Sequence, residues 1–262
     1  MGLAVSGFIL QIILRNPLAS PDVAGITSSG VLAVVLVGMF MPLARTSMIV
    51  VSLTSSIIIA TLAYFCLRNI AFSPQRWALM GVCLSAFCAT SITIVMSLSA
   101  TQASEALLWL SGATYGVSYQ EVLWLIPIPM VTAVLLWGPW RWLHLLQLGL
   151  PHANALGLNT HKALLLLAAV VVVFCALCVA VVGGIAFVGL MAPHFVRVLG
   201  VTHPRWSLLS TALMGALLLM LADYLALTVM SPFELPSGLV VSATGGVYFV
   251  ALLMSGKYAR ST

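Results

Sequence analysis

The stretch LLLLAAVVVVFCALCVAVV, Leu164–Val182, runs nineteen residues without a charge. A helix rises 1.5 Å per residue, so about 20 mainly apolar residues cross the ~30 Å hydrocarbon core of a bilayer. This run is long enough, and a second, Met48–Leu67, carries twenty residues without a charge. Inside lipid no water pairs with the backbone, so spanning segments satisfy their amides internally, as helices or closed barrels. Barrel strands alternate polar and apolar residues over about ten positions, and these runs do not. The fold read from them is all-α, a polytopic transmembrane helical bundle.

Working outward, the composition agrees. The 262 residues are 62% hydrophobic and 6% charged, whereas soluble domains carry about 25% charged residues. The net charge of +5 invites a nucleic-acid reading. The ten Lys and Arg residues are instead scattered between apolar blocks with no basic stripe, so no nucleic-acid partner is expected and the bilayer is. Five cysteines lie inside apolar blocks. Cys175 and Cys178 form a C-x-x-C in mid-span with no second pair, which reads as small buried residues rather than a redox or metal site.

Nine apolar blocks follow along the chain: 1–14, 24–41, 47–67, 77–99, 122–138, 163–182, 185–199, 208–230 and 239–254. Lys and Arg on alternate sides then set the orientation. One side collects Arg15, Arg68, Arg76, Arg141, Lys162, Arg197, Arg205, Lys257 and Arg260, and the other Arg45 alone. The first side is the cytoplasm, and the C-terminus lies there. Block 1–14 is short for a span and is expected to thin the bilayer or draw its polar ends inward. Block 185–199 is also short and holds Gly189, Pro193 and His194. Spans interrupted by Gly or Pro mark translocation pathways in transporters, and they also arise from packing alone. His194 is expected to be a hydrogen-bonded packing residue rather than a ligand or proton carrier.

Several chemistries have no support. The chain holds no G-x-x-x-x-G-K-[ST], no H-E-x-x-H and no G-x-S-x-G, so a P-loop, a zinc protease and a serine hydrolase are not indicated. No catalytic residue, metal ligand or cofactor is expected. Proton- or sodium-coupled carriers use intramembrane carboxylates, and Asp223 alone is a candidate, near an outer end. A transporter of this composition takes its energy from another subunit.

The motifs then converge. Gly184-Ile185-Ala186-Phe187-Val188-Gly189-Leu190-Met191-Ala192-Pro193-His194-Phe195-Val196-Arg197 resembles the G-x-x-F-V-G-L-x-x-P-H-x-x-R signature of FecCD-type permeases. These are membrane subunits of bacterial ABC importers for iron–siderophore complexes, haem and cobalamin. Gln11 with Arg15-Asn16-Pro17-Leu18-Ala19-Ser20-Pro21-Asp22 resembles the family's Q-x-x-x-R-N-P-L-A-x-P-D, and Trp109-Leu110-Ser111-Gly112 its W-L-x-G. Asp223, the run Glu234-Leu235-Pro236-Ser237-Gly238, and Gly245-Gly246 with Phe249 resemble its closing motifs.

The resemblance implies a type II ABC importer permease in the bacterial inner membrane. Its implied partners are a second copy or a related permease, two cytoplasmic ATPase subunits and a periplasmic substrate-binding protein. The whole of 1–262 is then one transmembrane permease domain. Within it, 139–162 is the cytoplasmic loop that couples to the ATPase, through Leu148, Gly149, Ala153, Leu156 and Gly157. Asn16, Leu18, Ser73 and Pro74 fall where relatives narrow their cytoplasmic gate. Gly189, Pro193, His194 and Arg197 belong to a pathway helix, and Asp223, Glu234, Pro236 and Gly238 to the periplasmic side.

There are departures. Leu150 stands where the family carries an acid, Leu227 where many relatives carry Arg, and Val247 where Pro is usual. The family has ten spans against about nine here, so the chain is expected to lack the first span and to be N-terminally incomplete. The expected function is import of a ferric siderophore-like chelate. The alternatives are the same role for cobalamin or haem, or a non-transporting truncated scaffold.

Overall fold

The computed structural model describes residues 1–22, 25–40, 45–67, 73–98, 107, 109–229 and 235–254. Among them the regular elements are helical. They run α1 (Gly2–Leu14), α2 (Ile26–Phe40), α3 (Arg45–Leu67), α4 (Pro74–Leu98), α5 (Tyr119–Val122), a 3₁₀ turn (Leu123–Leu125), α6 (Pro127–Trp137), α7 (Trp140–Leu148), α8 (Leu150–Ala155), α9 (Thr160–Val182), α10 (Val188–Val198), α11 (Pro204–Val229) and α12 (Ser237–Met254). Among the described residues five segments are long and apolar enough to cross a membrane: Thr46–Phe65, Gln75–Leu98, Tyr119–Trp137, Thr160–Val182 and Pro204–Val229. Four shorter apolar helices, Gly2–Leu14, Ile26–Gly38, Val188–Val198 and Ser237–Leu252, make up the rest. Each apolar block of the sequence is thus represented by a helix.

Local chemistry sets where the helices stop. The Asn159 side chain accepts from the Lys162 amide to open α9, and Gly183, at φ +83°, closes it. Block 122–138 begins earlier than its apolar run, at Tyr119, because Ser118 and Glu121 form a capping box. Pro127 then opens α6 after the 3₁₀ turn.

Helix α1 occupies the centre of the bundle. It packs on α9, α10 and α11, with further contacts to α4, α6 and α7. Gly2 through Ile9 are all buried, and Val5, Phe8 and Ile9 share one core with Phe174 of α9, Val188 of α10 and Leu208 of α11. This corrects the expectation of bilayer thinning. Thirteen residues rise only about 20 Å, but the surround is protein, so there is little lipid boundary to mismatch. Small residues allow the close fit: a Cβ at Gly215 of α11 would lie 2.3 Å from the Ala4 Cβ. Beside this core, Gly30 of α2 packs on the Ser52 and Ser56 hydroxyls of α3.

Candidate functional site

At the end of the bundle assigned to the outside by the charge count, three motif segments meet. The non-helical stretch 183–187 joins α9 to α10, and its backbone is paired by residues 109–113. The Gly184 amide donates to the Trp109 carbonyl at 2.9 Å, and the Ala113 amide to Val182 at 2.9 Å. The Gly238 amide, at the start of α12, donates to Gly112 at 2.9 Å. A Cβ at Gly238 would sit 2.1 Å from the Ser111 carbonyl oxygen, so glycine is required for that approach. Thr114 then ties the ends of α11 and α12: its hydroxyl donates to the Asp223 carboxylate and lies 3.0 Å from Ser237 Oγ. Thr114 was not singled out from the sequence, since the motif read there stops at Gly112. Pro236 and Gly238 lie in this cluster; Glu234 lies outside the described residues.

Helix α10 starts within the protein. Its eleven residues rise about 16 Å, half of a bilayer core, so the unwound 183–187 stretch leads from the outer end of α9 in to membrane depth. Such backbone is tolerated where protein covers it and pairs it. The Phe187 amide donates to Asp22 Oδ2 at 3.3 Å, while Phe187 itself adopts φ +66°. Asp22 therefore brings the segment after α1 up to the N-terminus of α10, a contact across 165 residues that no local pattern indicates. A carboxylate there also faces the positive end of the helix dipole.

The sequence marked this span as interrupted by Gly and Pro without placing a break at Pro193. The helix runs through it, and the break precedes Val188. Proline lacks the amide that would bond the carbonyl four residues back, which frees the Gly189 carbonyl. That oxygen faces Gly7 so closely that a Cβ on Gly7 would be 1.8 Å away. A Cβ on Gly189 would in turn meet Pro21 and the Leu3 carbonyl. Helices α1 and α10 thus touch backbone to backbone through two glycines, the small-residue packing that membrane helices use in place of a hydrophobic drive.

His194 is buried, and its Nδ1 has no hydrogen-bond partner among the described residues. Its ring packs edge-on against Tyr248 and Phe249 of α12, at centroid distances of 5.6 and 6.0 Å. Packing holds it, and the hydrogen bond expected of that role is not seen at Nδ1. One helical turn on, Arg197 Nη1 donates to Gln11 Oε1 at 2.7 Å, and Gln11 Nε2 donates to the Ala19 carbonyl at 3.3 Å.

At the opposite end, segment 139–162 forms the short helices α7 and α8, broken at Gly149 (φ +109°, ψ 150°). The five residues singled out there divide into two groups. Gly149 and Ala153 are buried, while Leu148, Leu156 and Gly157 are exposed. Arg15 stands over Gly149, with Nη2 2.8 Å from where a Cβ would be. Arg15 is itself left-handed, at φ +47°, ending α1. Next to it Asn16 Oδ1 accepts from the Leu18 amide at 2.9 Å, and Asn16 and Leu18 are exposed. Ser73 and Pro74 open α4 at the same end, where Leu14 and Trp77 line one cavity. The first turn and the 139–162 element are therefore in contact through Arg15, which the sequence reading used as a charge and as part of a motif. Among the described residues no three His, Cys, Asp or Glu side chains come together as a metal site.

Comparison with known proteins follows this geometry. Residues 1–255 match the model of the FecCD transport family. The chain is 36% identical over 257 residues to the Fe(3+)-citrate import system permease protein YfmE of Bacillus subtilis, covering 96% of this chain and 76% of that protein. It is 35% identical over 269 residues to the hemin transport system permease protein HmuU of Yersinia pestis, covering 99% and 79%. A solved inward-facing structure described as a metal-chelate type ABC transporter superposes with a TM-score of 0.88 at 27% identity, covering 97% of this chain and 82% of that one. The chain belongs to the FecCD transport family.

Proposed function

We propose that this chain is the permease subunit of an ABC importer that carries a ferric chelate across the bacterial inner membrane. The observation that carries the reading is the backbone match to the metal-chelate transporter over nearly the whole chain. Several similar permeases are named for ferric citrate, iron(3+)-hydroxamate and ferric enterobactin, and ferric chelates are therefore the substrate class. A non-transporting scaffold draws no support from these relatives. Haem stays a second reading, because HmuU is named for hemin.

Residues 148–157 receive a separate ATPase, with Leu148, Leu156 and Gly157 as the contacting face. Gly149 and Ala153 hold that face to the body, and Arg15 passes its movement to α1. From α1 the movement reaches α10 through the Gly7–Gly189 contact and the Arg197–Gln11 hydrogen bond. The Thr114–Asp223–Ser237 cluster anchors the face that receives a periplasmic binding protein. Asn16, Leu18, Ser73 and Pro74 narrow the cytoplasmic exit, and a second permease copy or a related permease completes the pathway. The C-terminus is cytoplasmic.

The test is uptake of radiolabelled ferric citrate, a ferric hydroxamate and haem into proteoliposomes holding this chain with its ATPase and binding protein. ATP-dependent uptake of a ferric chelate is expected. Uptake of none of them, in vesicles where the ATPase hydrolyses ATP, refutes the proposal.

A further inference from the structure

An apolar cavity of about 450 Å³ opens between α3, α4 and α9, with the last turns of α1 as its floor. It lies apart from the outer motif cluster and adjoins the turn after α1 and the start of α4. The lining falls toward one end of each helix: residues 10–14 end α1, Ile26 begins α2, 57–64 end α3, 77–84 begin α4, and 161–173 make up the first part of α9. All of these are the ends assigned to the cytoplasm, so the cavity lies mainly in the cytoplasmic leaflet. Its walls are hydrocarbon, and the Thr61 hydroxyl is already bonded to the Ile57 carbonyl at 2.7 Å. Polar groups gather at the mouth. Tyr64 and Trp77 are half-buried there and His161 is exposed, and the chain neighbours Arg76 and Lys162 are exposed cations.

We propose that this cavity holds one acyl chain of a phospholipid from the cytoplasmic leaflet, with the phosphate met by Arg76, His161 and Lys162. Water does not fill an apolar cavity, and an empty one forfeits dispersion contacts along its walls. In a bilayer the abundant apolar filler is an acyl chain. The space is large and apolar enough to take a stretch of acyl chain. Trp and Tyr belong at headgroup level, and basic residues beside the cytoplasmic surface attract anionic lipid. The leaflet assigned here rests on the orientation given under the proposed function; retention of a lipid does not depend on transport, so the two can fail separately.

The experiment compares wild type with Ala168→Phe and Gly81→Leu, which fill the cavity from α9 and α4 independently. Each is extracted with its partner subunits, stripped of loose lipid in mild detergent and examined by native mass spectrometry. Wild type is expected to keep one phospholipid per chain, and both filled variants to lose it without a fall in melting temperature. Arg76→Gln and Lys162→Gln are each expected to weaken retention of anionic phospholipid by about fivefold. A second readout covers a filler that fails to fold. In nanodiscs of acyl-brominated phospholipid, the fluorescence lost in Trp77→Phe should be quenched, and should recover slowly after dilution into unlabelled lipid. Immediate recovery, a wild type that keeps no lipid, or filled variants that keep the same lipid would each overturn the proposal. So would a change of oligomeric state in the fillers, which would give the cavity to a second copy or partner helix.

Discussion

Gly7→Ala tests the backbone contact at the centre of the bundle. The new Cβ would stand 1.8 Å from the Gly189 carbonyl oxygen, where ordinary contact begins at 3.4 Å, so α1 and α10 must part by about 1.6 Å. No rotamer relieves this, because the obstacle is main chain on a helix held by its own neighbours. Overpacking of a close-fitted core costs about 1–3 kcal/mol and occasionally more, and this case belongs at the upper end. At about 3 kcal/mol a chain of this size should melt some 6–12 °C lower. The separation also breaks the path from α1 to α10, so uptake should fall further than the melting temperature alone explains. The assay is a thermal melt in detergent followed by size exclusion, with chelate uptake at matched membrane levels. Gly246→Ala is the control, since nothing lies within 4 Å of its added methyl. If Gly7→Ala melts together with wild type and the control, the two helices do not approach as described.

Gly149→Ala places a methyl 2.8 Å from Arg15 Nη2 in a backbone conformation suited to glycine. The strain costs about 1–3 kcal/mol, and ATPase co-purification and uptake should both drop. Adding Arg15→Ala should remove the contact part of the loss and leave the strain, a difference read in a double-mutant cycle. Gly157→Arg meets open space within its own chain, so only the left-handed φ, about 1–2 kcal/mol, burdens folding. A melting temperature near wild type with loss of ATPase binding is expected, and normal co-purification would remove 148–157 as the docking element. Thr114→Val deprives Asp223 and Ser237 of their shared partner and should cost about 1–3 kcal/mol, seen as an earlier melt. In a cysteine-free background, Tyr119→Cys should react with a membrane-impermeant reagent from the periplasm and Asn154→Cys should not; the reverse pattern would invert the orientation.

Much of the architecture was legible because span length and apolarity are local properties. A nineteen-residue run such as Leu164–Val182 has few other solutions in lipid, and the nine blocks correspond to helices. Order and identity of the motifs gave the family. What stayed hidden depends on contacts between distant residues. Block 1–14 reads as a short span meeting lipid, and nothing in its fourteen residues says that α9, α10 and α11 enclose it. Gly189 and Pro193 read as interruptions of their span without locating a break, and the break lies at 183–187, held by Trp109 and Asp22 from other segments. Gly149 and Ala153 read as a docking surface alongside Leu148 and Leu156, but burial separates the pairs. Thr114 carries no signal of its own, since a lone threonine in an outer loop is unremarkable until Asp223 is beside it.

The enclosure of α1 bears on how the protein is made. Its partners lie far down the chain: the Ser6 hydroxyl reaches the Val171 carbonyl across 165 residues, and Gln11 meets Arg197 across 186. At about 5–20 residues per second, a ribosome needs roughly 10–40 s to supply those partners after finishing α1. During that interval a helix with serine, glutamine and glycine on its faces lacks α9, α10 and α11, and lipid or an insertase stands in their place. Nascent chains halted before α9 should therefore be held by insertion machinery or degraded, while those released after α11 should settle. The first-made of these helices is the last to find its place.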